Sequence, residues 1–367
     1  MRVTRLRLRD FRCYEEADVV LGAGMTVIHG PNGAGKTNLL EALYFGCTAR
    51  SCRTSNEREV VRFGARATRV VVDGEDADGG HELAVGFQAG EAKRLTADGA
   101  PVERLLDAPH RPLICVFLPD RLELVKGAPG LRRAHLDQVV AGLWPVRSAT
   151  RRAYSQALAQ RNALIARVRA QVAGREALAA WDLELARHGV ALRDDRAAAA
   201  ALLEEPFARH AEALGLRGPA SLTYRPRSTA ASPGELAAEL AERLPVDLDR
   251  GFTSHGPHRD ELLLRSQDRD LRSYGSQGEQ RLALLSLLLA ERDALAAARD
   301  RPPMMLLDDV MSELDPERRH RLAGALRAGG QAVITTTDAE HVPGVHDPGV
   351  TRIAVARGLV LSEVGAA

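Results

Sequence analysis

The sequence predicts an α/β fold with a helical segment inserted between its two halves, and three observations predict it. Residues 30–37 read Gly-Pro-Asn-Gly-Ala-Gly-Lys-Thr, a complete G-x-x-x-x-G-K-[ST] loop. Near the other end, Met304-Met305-Leu306-Leu307 is an apolar run fit for a buried parallel strand, and it delivers Asp308-Asp309 at its C-terminal end. Between them, from about Leu131 to Leu214, the chain is rich in Ala, Leu, Arg and Glu, with apolar residues at helical spacing.

The elements follow in order. Val3-Thr4-Arg5-Leu6-Arg7-Leu8-Arg9 alternates between arginine and apolar side chains, as a half-exposed strand does. Its arginines form a basic face, suited either to phosphates or to a solvated sheet edge. Met25-Thr26-Val27-Ile28 reads as the strand that feeds the loop, and Asn38 to Tyr44 has the spacing of the helix that leaves it. Gly30, Gly33 and Gly35 let backbone N–H groups curl around a β-phosphate without Cβ clashes. The helix starting near Lys36 adds its positive end. Short strands are expected at Arg69–Asp73, Glu82–Gln88 and Leu113–Phe117, separated by glycine and aspartate turns.

The helical stretch reads as two or three long helices broken near Gly174 and at Pro206. Sustained a/d heptads are absent, so a compact arm is expected rather than a coiled coil. Pro219 to Pro245 reads as a loop-rich connection with one helix near Glu235–Arg243, and a further helix covers Arg281–Ala290. Met304–Leu307, a helix over Pro316–Arg327 and the strand Gln331–Thr335 then make a β-α-β unit. The expected division is residues 1–120 with 302–367 in one lobe and 121–301 in the other.

Composition sets mild limits. The chain has 367 residues, 45% of them hydrophobic but only 4% aromatic, which predicts cores of Leu, Val and Ala. A net charge of +1 means that any nucleic-acid contact comes from a local patch, not from bulk charge. Cys13, Cys47, Cys52 and Cys115 form no C-x-x-C pair and have no suitably spaced histidines, which argues against a structural zinc and for reduced thiols. The N-terminus lacks the apolar core of a signal peptide, and the longest apolar run, Leu282 to Ala290, is too short to span a bilayer. A soluble, cytoplasmic chain with no membrane partner is expected.

The chemistry expected of the loop is nucleotide binding through Gly30, Pro31, Asn32, Gly33, Ala34, Gly35, Lys36 and Thr37. Lys36 reaches the β- and γ-phosphates and the Thr37 hydroxyl binds Mg²⁺. Asp308 is the second Mg²⁺ residue, acting through water, and Asp309 stands where a general base for water attack belongs. Ser276-Gln277-Gly278-Glu279-Gln280 opens a helix and can present a hydroxyl and backbone N–H groups to an anion. Ser276 and Glu279 also have the spacing of a capping box. Ser312-Glu313-Leu314-Asp315-Pro316 follows the aspartates, and Asp315 before Pro316 is a natural helix start. His255, His258 and Asp260 lack a further ligand for a metal and read as a hydrogen-bonded turn. Arg132, Arg133, Arg151 and Arg152 are DNA-contact candidates on the arm, with solvated helix faces as the plain alternative.

Together these residues resemble the ABC-type ATPases: phosphate loop, Ser-x-Gly-x-Gln signature, Asp-Asp strand, then Ser-x-Leu-Asp. Within that group the chain resembles the RecF family of DNA replication and repair proteins. Leu8 to Tyr14, Gly30 to Leu43, Ser51-Cys52-Arg53-Thr54, Phe117 to Asp120 and Gly127-Ala128-Pro129 with Arg132-Arg133 recur in that family's order. So do Gly256-Pro257-His258-Arg259-Asp260 and Tyr274 to Gly278. The resemblance runs from about Leu6 to Thr337, loosely over the arm and Ala65–Arg111. It departs at Glu279, where the family commonly has glutamine, and at Thr335-Thr336-Thr337, where many ABC-type ATPases place a histidine.

The resemblance implies an ATPase head with an inserted helical arm and signature lobe, using ATP and Mg²⁺. It implies a head-to-tail homodimer in which ATP on Lys36 and Thr37 of one chain is capped by Ser276 and Gly278 of the other, with Asp315 linking the two sites. Lys36, Asp309 and Ser276 are then the catalytic set, and turnover is slow because Asp309 is a short base without a histidine partner. The implied setting is duplex or gapped DNA, with RecR/RecO-type mediators and recombinase loading. Two rivals are an energising subunit of a transporter and another SMC-like chromosome-maintenance ATPase. The inserted arm stands against the first and the absence of long heptads against the second.

Overall fold

In the computed structural model, which describes residues 1–362, the chain divides into two compact units. One comprises Met1–Asp120 with Asp300–Ala367, and the other Arg121–Arg299. Residues 363–367 of the second expected ATPase segment lie outside the described residues.

The first unit holds a mostly parallel sheet in the order Leu359–Ser362, Thr351–Ala356, Met25–His29, Ala332–Thr336, Met304–Asp308, Ile114–Phe117. Only the Leu359–Ser362 edge strand is antiparallel. Met304–Asp308 and Ala332–Thr336 are buried at every position, which is why they read as unbroken apolar runs rather than as alternation. Parallel pairing of Met25–His29 with Ala332–Thr336, and of that strand with Met304–Asp308, carries the ends of three strands to one edge. The helix Lys36–Thr48 leaves the loop after Met25–His29 and buries Leu39, Leu40, Leu43 and Phe45.

A second, antiparallel sheet runs Tyr14–Val20, Arg2–Phe11, Ala67–Asp76, Gly79–Gln88, Arg94–Ala97, Ala100–Pro101. In Arg2–Phe11 the buried set is Val3, Leu6, Leu8 and Phe11, so the period of two breaks between Val3 and Leu6 and again between Leu8 and Phe11, where Asp10 has φ of 51°. A register shift between Val3 and Arg5 absorbs the first extra residue and keeps Val3 and Leu6 on the core face. The strand is flanked on both sides, so of the two readings of its arginines the sheet edge does not hold. Its basic face is corrected too: Arg5 donates to Asp18 at 2.6 Å, Arg7 to Asp73 at 2.7 Å and Glu82 at 2.9 Å, and Arg2 pairs with Glu75. Asp18, Asp73 and Glu75 sit on the two flanking strands and Glu82 one strand further, beyond the reach of local sequence reading.

The second unit is mainly helical. Pro129–Leu143, Ser148–Arg169, Leu178–Ala213 and Gln277–Arg299 are its long helices. The break expected near Gly174 falls between the second and third of these. The break expected at Pro206 does not occur, because Leu178–Ala213 continues through it for 36 residues. Proline removes the N–H that would bond to the carbonyl of Leu202, and Leu202 lies on the solvent face at 47% exposure. Burial of Leu203, Phe207 and Ala211 on the opposite face keeps the last turns helical. The connection after Pro219 contains the strand Ala220–Arg225 as well as helices Pro233–Glu242 and Leu244–Arg250. That strand pairs with Glu261–Ser266 in a small antiparallel sheet, a pairing missed because its partner lies far along the chain. The helix expected at Arg281–Ala290 begins earlier and runs longer, as Gln277–Arg299. No described helix is long and apolar enough to cross a membrane.

Candidate nucleotide-binding site

The glycines of the loop are required where they stand. Gly30, Gly33 and Gly35 have φ of 147°, 75° and 114°. A Cβ at Gly30 would lie 2.1 Å from the Val355 carbonyl oxygen, and one at Gly35 would lie 2.6 Å from the Tyr14 hydroxyl. Ala34 is buried, and its carbonyl accepts a hydrogen bond from Gly358 N–H at 2.9 Å, so the Ala356–Leu359 turn braces the loop from outside. Pro31, Asn32 and Gly33 remain exposed.

Lys36 opens the helix, and its ammonium donates to the carbonyls of Gly30 at 2.8 Å and Pro31 at 3.0 Å. Burial lowers its pKa, while Asp309 and Asp308 pull it back up. The Thr37 hydroxyl donates to Asp308 at 2.8 and 3.0 Å. Thus the loop and the aspartate strand, separated by most of the sequence, meet through one hydroxyl and one carboxylate. An oxygen pair of this kind fits a hard cation such as Mg²⁺.

Thr335, on the adjacent parallel strand, ties the site together. Its hydroxyl donates to Asp308 Oδ1 at 2.6 Å and accepts from the Asp309 N–H at 3.0 Å. Asp309 itself has φ of 47°, and its Oδ1 is buried without a hydrogen-bond partner. A carboxylate oxygen left with spare accepting capacity suits a general base. Asp315 caps the helix Pro316–Arg327 by accepting from Arg318 N–H at 2.9 Å and is exposed.

Ser276 and Gly278 belong to the other unit. Ser276 is exposed at the start of Gln277–Arg299, and the capping box its spacing allows is formed there. Its N–H donates to Glu279 Oε2 at 2.8 Å and its hydroxyl to the same oxygen at 2.9 Å. Gln280 points inward and donates to the Leu271 carbonyl at 2.9 Å.

Sequence reasoning missed a clamp beneath the loop helix. Glu41 is fully buried and accepts two hydrogen bonds from Arg12, at 2.9 and 2.6 Å, one from Ser51 at 2.5 Å and one from Arg53 at 3.3 Å. Arg53 also donates to Asn38 Oδ1 at 3.0 Å. The signal was present as a polar residue inside an apolar helix, together with Arg12 and Ser51-Cys52-Arg53-Thr54.

The His255–Asp260 turn is hydrogen-bonded. The Tyr154 hydroxyl lies 2.7 Å from His258 Nδ1, His258 Nε2 lies 2.9 Å from the Thr253 carbonyl, and His255 contacts Glu239 at 2.6 Å. Burial holds His258 down at about 4. Asp260 accepts from Arg227 N–H at 2.7 Å and from Tyr224. Among the DNA-contact candidates, Arg132 is corrected: it is buried, and donates to Glu261 and to the carbonyls of Val125 and Gly127. Arg133 is half-buried and donates to the Asp260 carbonyl, whereas Arg151 and Arg152 face solvent, Arg151 beside Asp137.

Comparison with known proteins identifies the lineage. Residues 5–93 match the model of a family described as AAA domain. The DNA replication and repair protein RecF of Anaeromyxobacter sp. (strain Fw109-5) is 39% identical over 374 residues, covering 98% of this chain and 99% of that protein. The chain belongs to the RecF family. The RecF of Myxococcus xanthus (strain DK1622) is 38% identical over 356 residues, 94% of this chain and 93% of that one. The solved structure of the recombination mediator protein RecF-ATP in the RecFOR pathway superposes with a TM-score of 0.87 at 25% identity, over 99% of this chain and 97% of that one. The SmcHead bound to the C-winged helix domain of ScpA gives 0.61 at 15% identity over 99% and 98%, a likeness of fold alone. The α/β fold is thus shared with RecF and, as a fold alone, with the SMC head.

Proposed function

We infer that this RecF-family chain is an ATPase of recombinational repair and replication restart whose bound ATP closes a head-to-tail homodimer on duplex or gapped DNA. The observation that carries the reading is the convergence of Thr37, Asp308 and Thr335 at the end of the phosphate loop. Lys36 exchanges the Gly30 and Pro31 carbonyls for β- and γ-phosphate oxygens. Thr37 and Asp308 hold Mg²⁺, which neutralises phosphate charge when bound. Asp309 orients water and receives its proton, since its Oδ1 has no other partner. The cap comes from the second chain, through the exposed Ser276 and Gly278, and Asp315 couples the two sites. ATP then touches both chains in the closed state and one in the open state, which is how its binding shifts the equilibrium. An isologous dimer of this kind closes over two nucleotides at once.

Hydrolysis removes the γ-phosphate bridge and releases DNA. Turnover is slow, and a steady-state rate within the ~1–100 s⁻¹ range of fast phosphoryl-transfer enzymes would contradict that. The name of the solved RecF-ATP structure supports ATP as the nucleotide, and its pathway supports RecR/RecO-type mediators that help to load a recombinase. A cytoplasmic setting without a membrane partner is part of this reading.

Fluorescence anisotropy on labelled duplex DNA, at fixed salt with ATP and without, tests the reading. ATP is expected to tighten binding and Ser276→Arg to abolish the gain. Affinity indifferent to ATP would sink the clamp.

A further inference from the structure

Ser276 brings two protons to the start of Gln277–Arg299, and one acceptor takes both. Glu279 Oε2 accepts the backbone N–H at 2.8 Å and the hydroxyl at 2.9 Å, while the hydroxyl oxygen accepts from Glu279 N–H at 3.3 Å. A serine hydroxyl has a single proton, so while it points at Glu279 it cannot point at a phosphate. The same carboxylate stands as a like charge beside any phosphate that approaches. Gly278, one residue earlier, is helical, and a Cβ there would meet nothing within 4 Å. Nothing among the described residues requires glycine at that position, which leaves the backbone open to close approach from outside the chain.

We propose that Glu279 is a gate on the shared nucleotide site. It holds Ser276 in a self-capped state that competes directly with the γ-phosphate. Two chains close only when ATP displaces the carboxylate from the serine hydroxyl. The inference rests on the head-to-tail reading above and adds its regulation. Glutamine at this position keeps an oxygen acceptor for the Ser276 N–H but removes the charge, so it opens the gate without removing the cap.

Sedimentation of the full chain at graded ATP concentrations tests this, with wild type, Ser276→Arg, Glu279→Gln and Glu279→Ala compared. Wild type is expected to dimerise with ATP while Ser276→Arg stays monomeric. Glu279→Gln is expected to reach half-maximal dimerisation at roughly fivefold lower ATP, the worth of one like-charge contact in a largely aqueous setting. Glu279→Ala shifts in the same direction even though it melts lower, because the charge and not the cap sets the midpoint. The gap between wild type and Glu279→Gln narrows as salt is raised from roughly 0.01 to 1 M. If Ser276→Arg behaves as expected but Glu279→Gln matches wild type, the gate is refuted and the dimer stands. If both Glu279 variants need more ATP, in the order of their lost melting temperature, Glu279 is only a cap. Equal behaviour of wild type and Ser276→Arg overturns both proposals.

Discussion

Thr335 is the residue on which both aspartates lean, and nothing in its own spelling announces it. In the sequence it is one of three threonines standing where a histidine is common. In the fold, parallel pairing sets Asp308 against Thr335, and the hydroxyl binds the Asp308 carboxylate and the Asp309 backbone together. Thr335→Val leaves a buried carboxylate short of a donor, so it is expected to cost about 2 kcal/mol in urea unfolding and to lower ATP turnover. Thr335→Ser restores both. Lys36 and Thr37 are legible because a phosphate loop has few alternative spellings, and Asp308 because it ends an unbroken apolar strand. Thr335 is not, because its partner is supplied by register between strands.

His258 gives a second prediction at this scale. Burial, with Arg259 and Arg133 nearby, depresses its pKa to about 4, below the ~6.5 of an unfolded imidazole. The unfolded chain then binds the extra proton first, so stability is fully present above about pH 6.5 and falls as the pH drops towards 4. The loss is up to about 3 kcal/mol, read from urea midpoints across that window, and His258→Gln should flatten the curve. His135, held by burial at about 3, acts with the same sign and keeps the flattening incomplete.

At the scale of elements, the helix after the phosphate loop is anchored from below by Glu41. The carboxylate is fully buried against Arg12, Ser51 and Arg53, which come from a turn before the loop and a segment after the helix. Glu41→Gln strands two arginines beside a neutral amide, and a loss of about 3 kcal/mol is expected by chemical denaturation. Leu178–Ala213 teaches a different lesson. Pro206 reads locally as a stop, yet buried Leu203, Phe207 and Ala211 carry the helix past it. Pro206→Ala is accordingly expected to stabilise by about 1–3 kcal/mol, visible as a higher melting temperature. Helices were legible by period and their ends were not, because tertiary burial overrides a single unfavourable residue. The first strand's arginines failed for the opposite reason: their carboxylate partners lie on other strands.

Across the whole molecule, the helical unit is held by buried charge as well as by apolar packing. Arg161 has no exposure and donates to Asp182 at 2.6 Å, Asp247 at 2.7 Å and Thr253 at 2.8 Å, joining three segments of the arm. One arginine among the five of the alanine-rich helix Ser148–Arg169 gave no sign of this in the sequence. The α/β class and the inserted arm were legible, since each has a period or a motif that needs no partner to be seen. The small sheet of Ala220–Arg225 and Glu261–Ser266 was not. DNA binding and release both follow from two chains sharing each nucleotide.

The most direct test is the mass of Asp309→Asn, a variant expected to bind ATP and not consume it, by sedimentation with ATP and without. A monomer that becomes a dimer only with ATP, and stays a monomer when Ser276→Arg is added, is the predicted result. One mass under all conditions, or a dimer indifferent to Ser276→Arg, would contradict it.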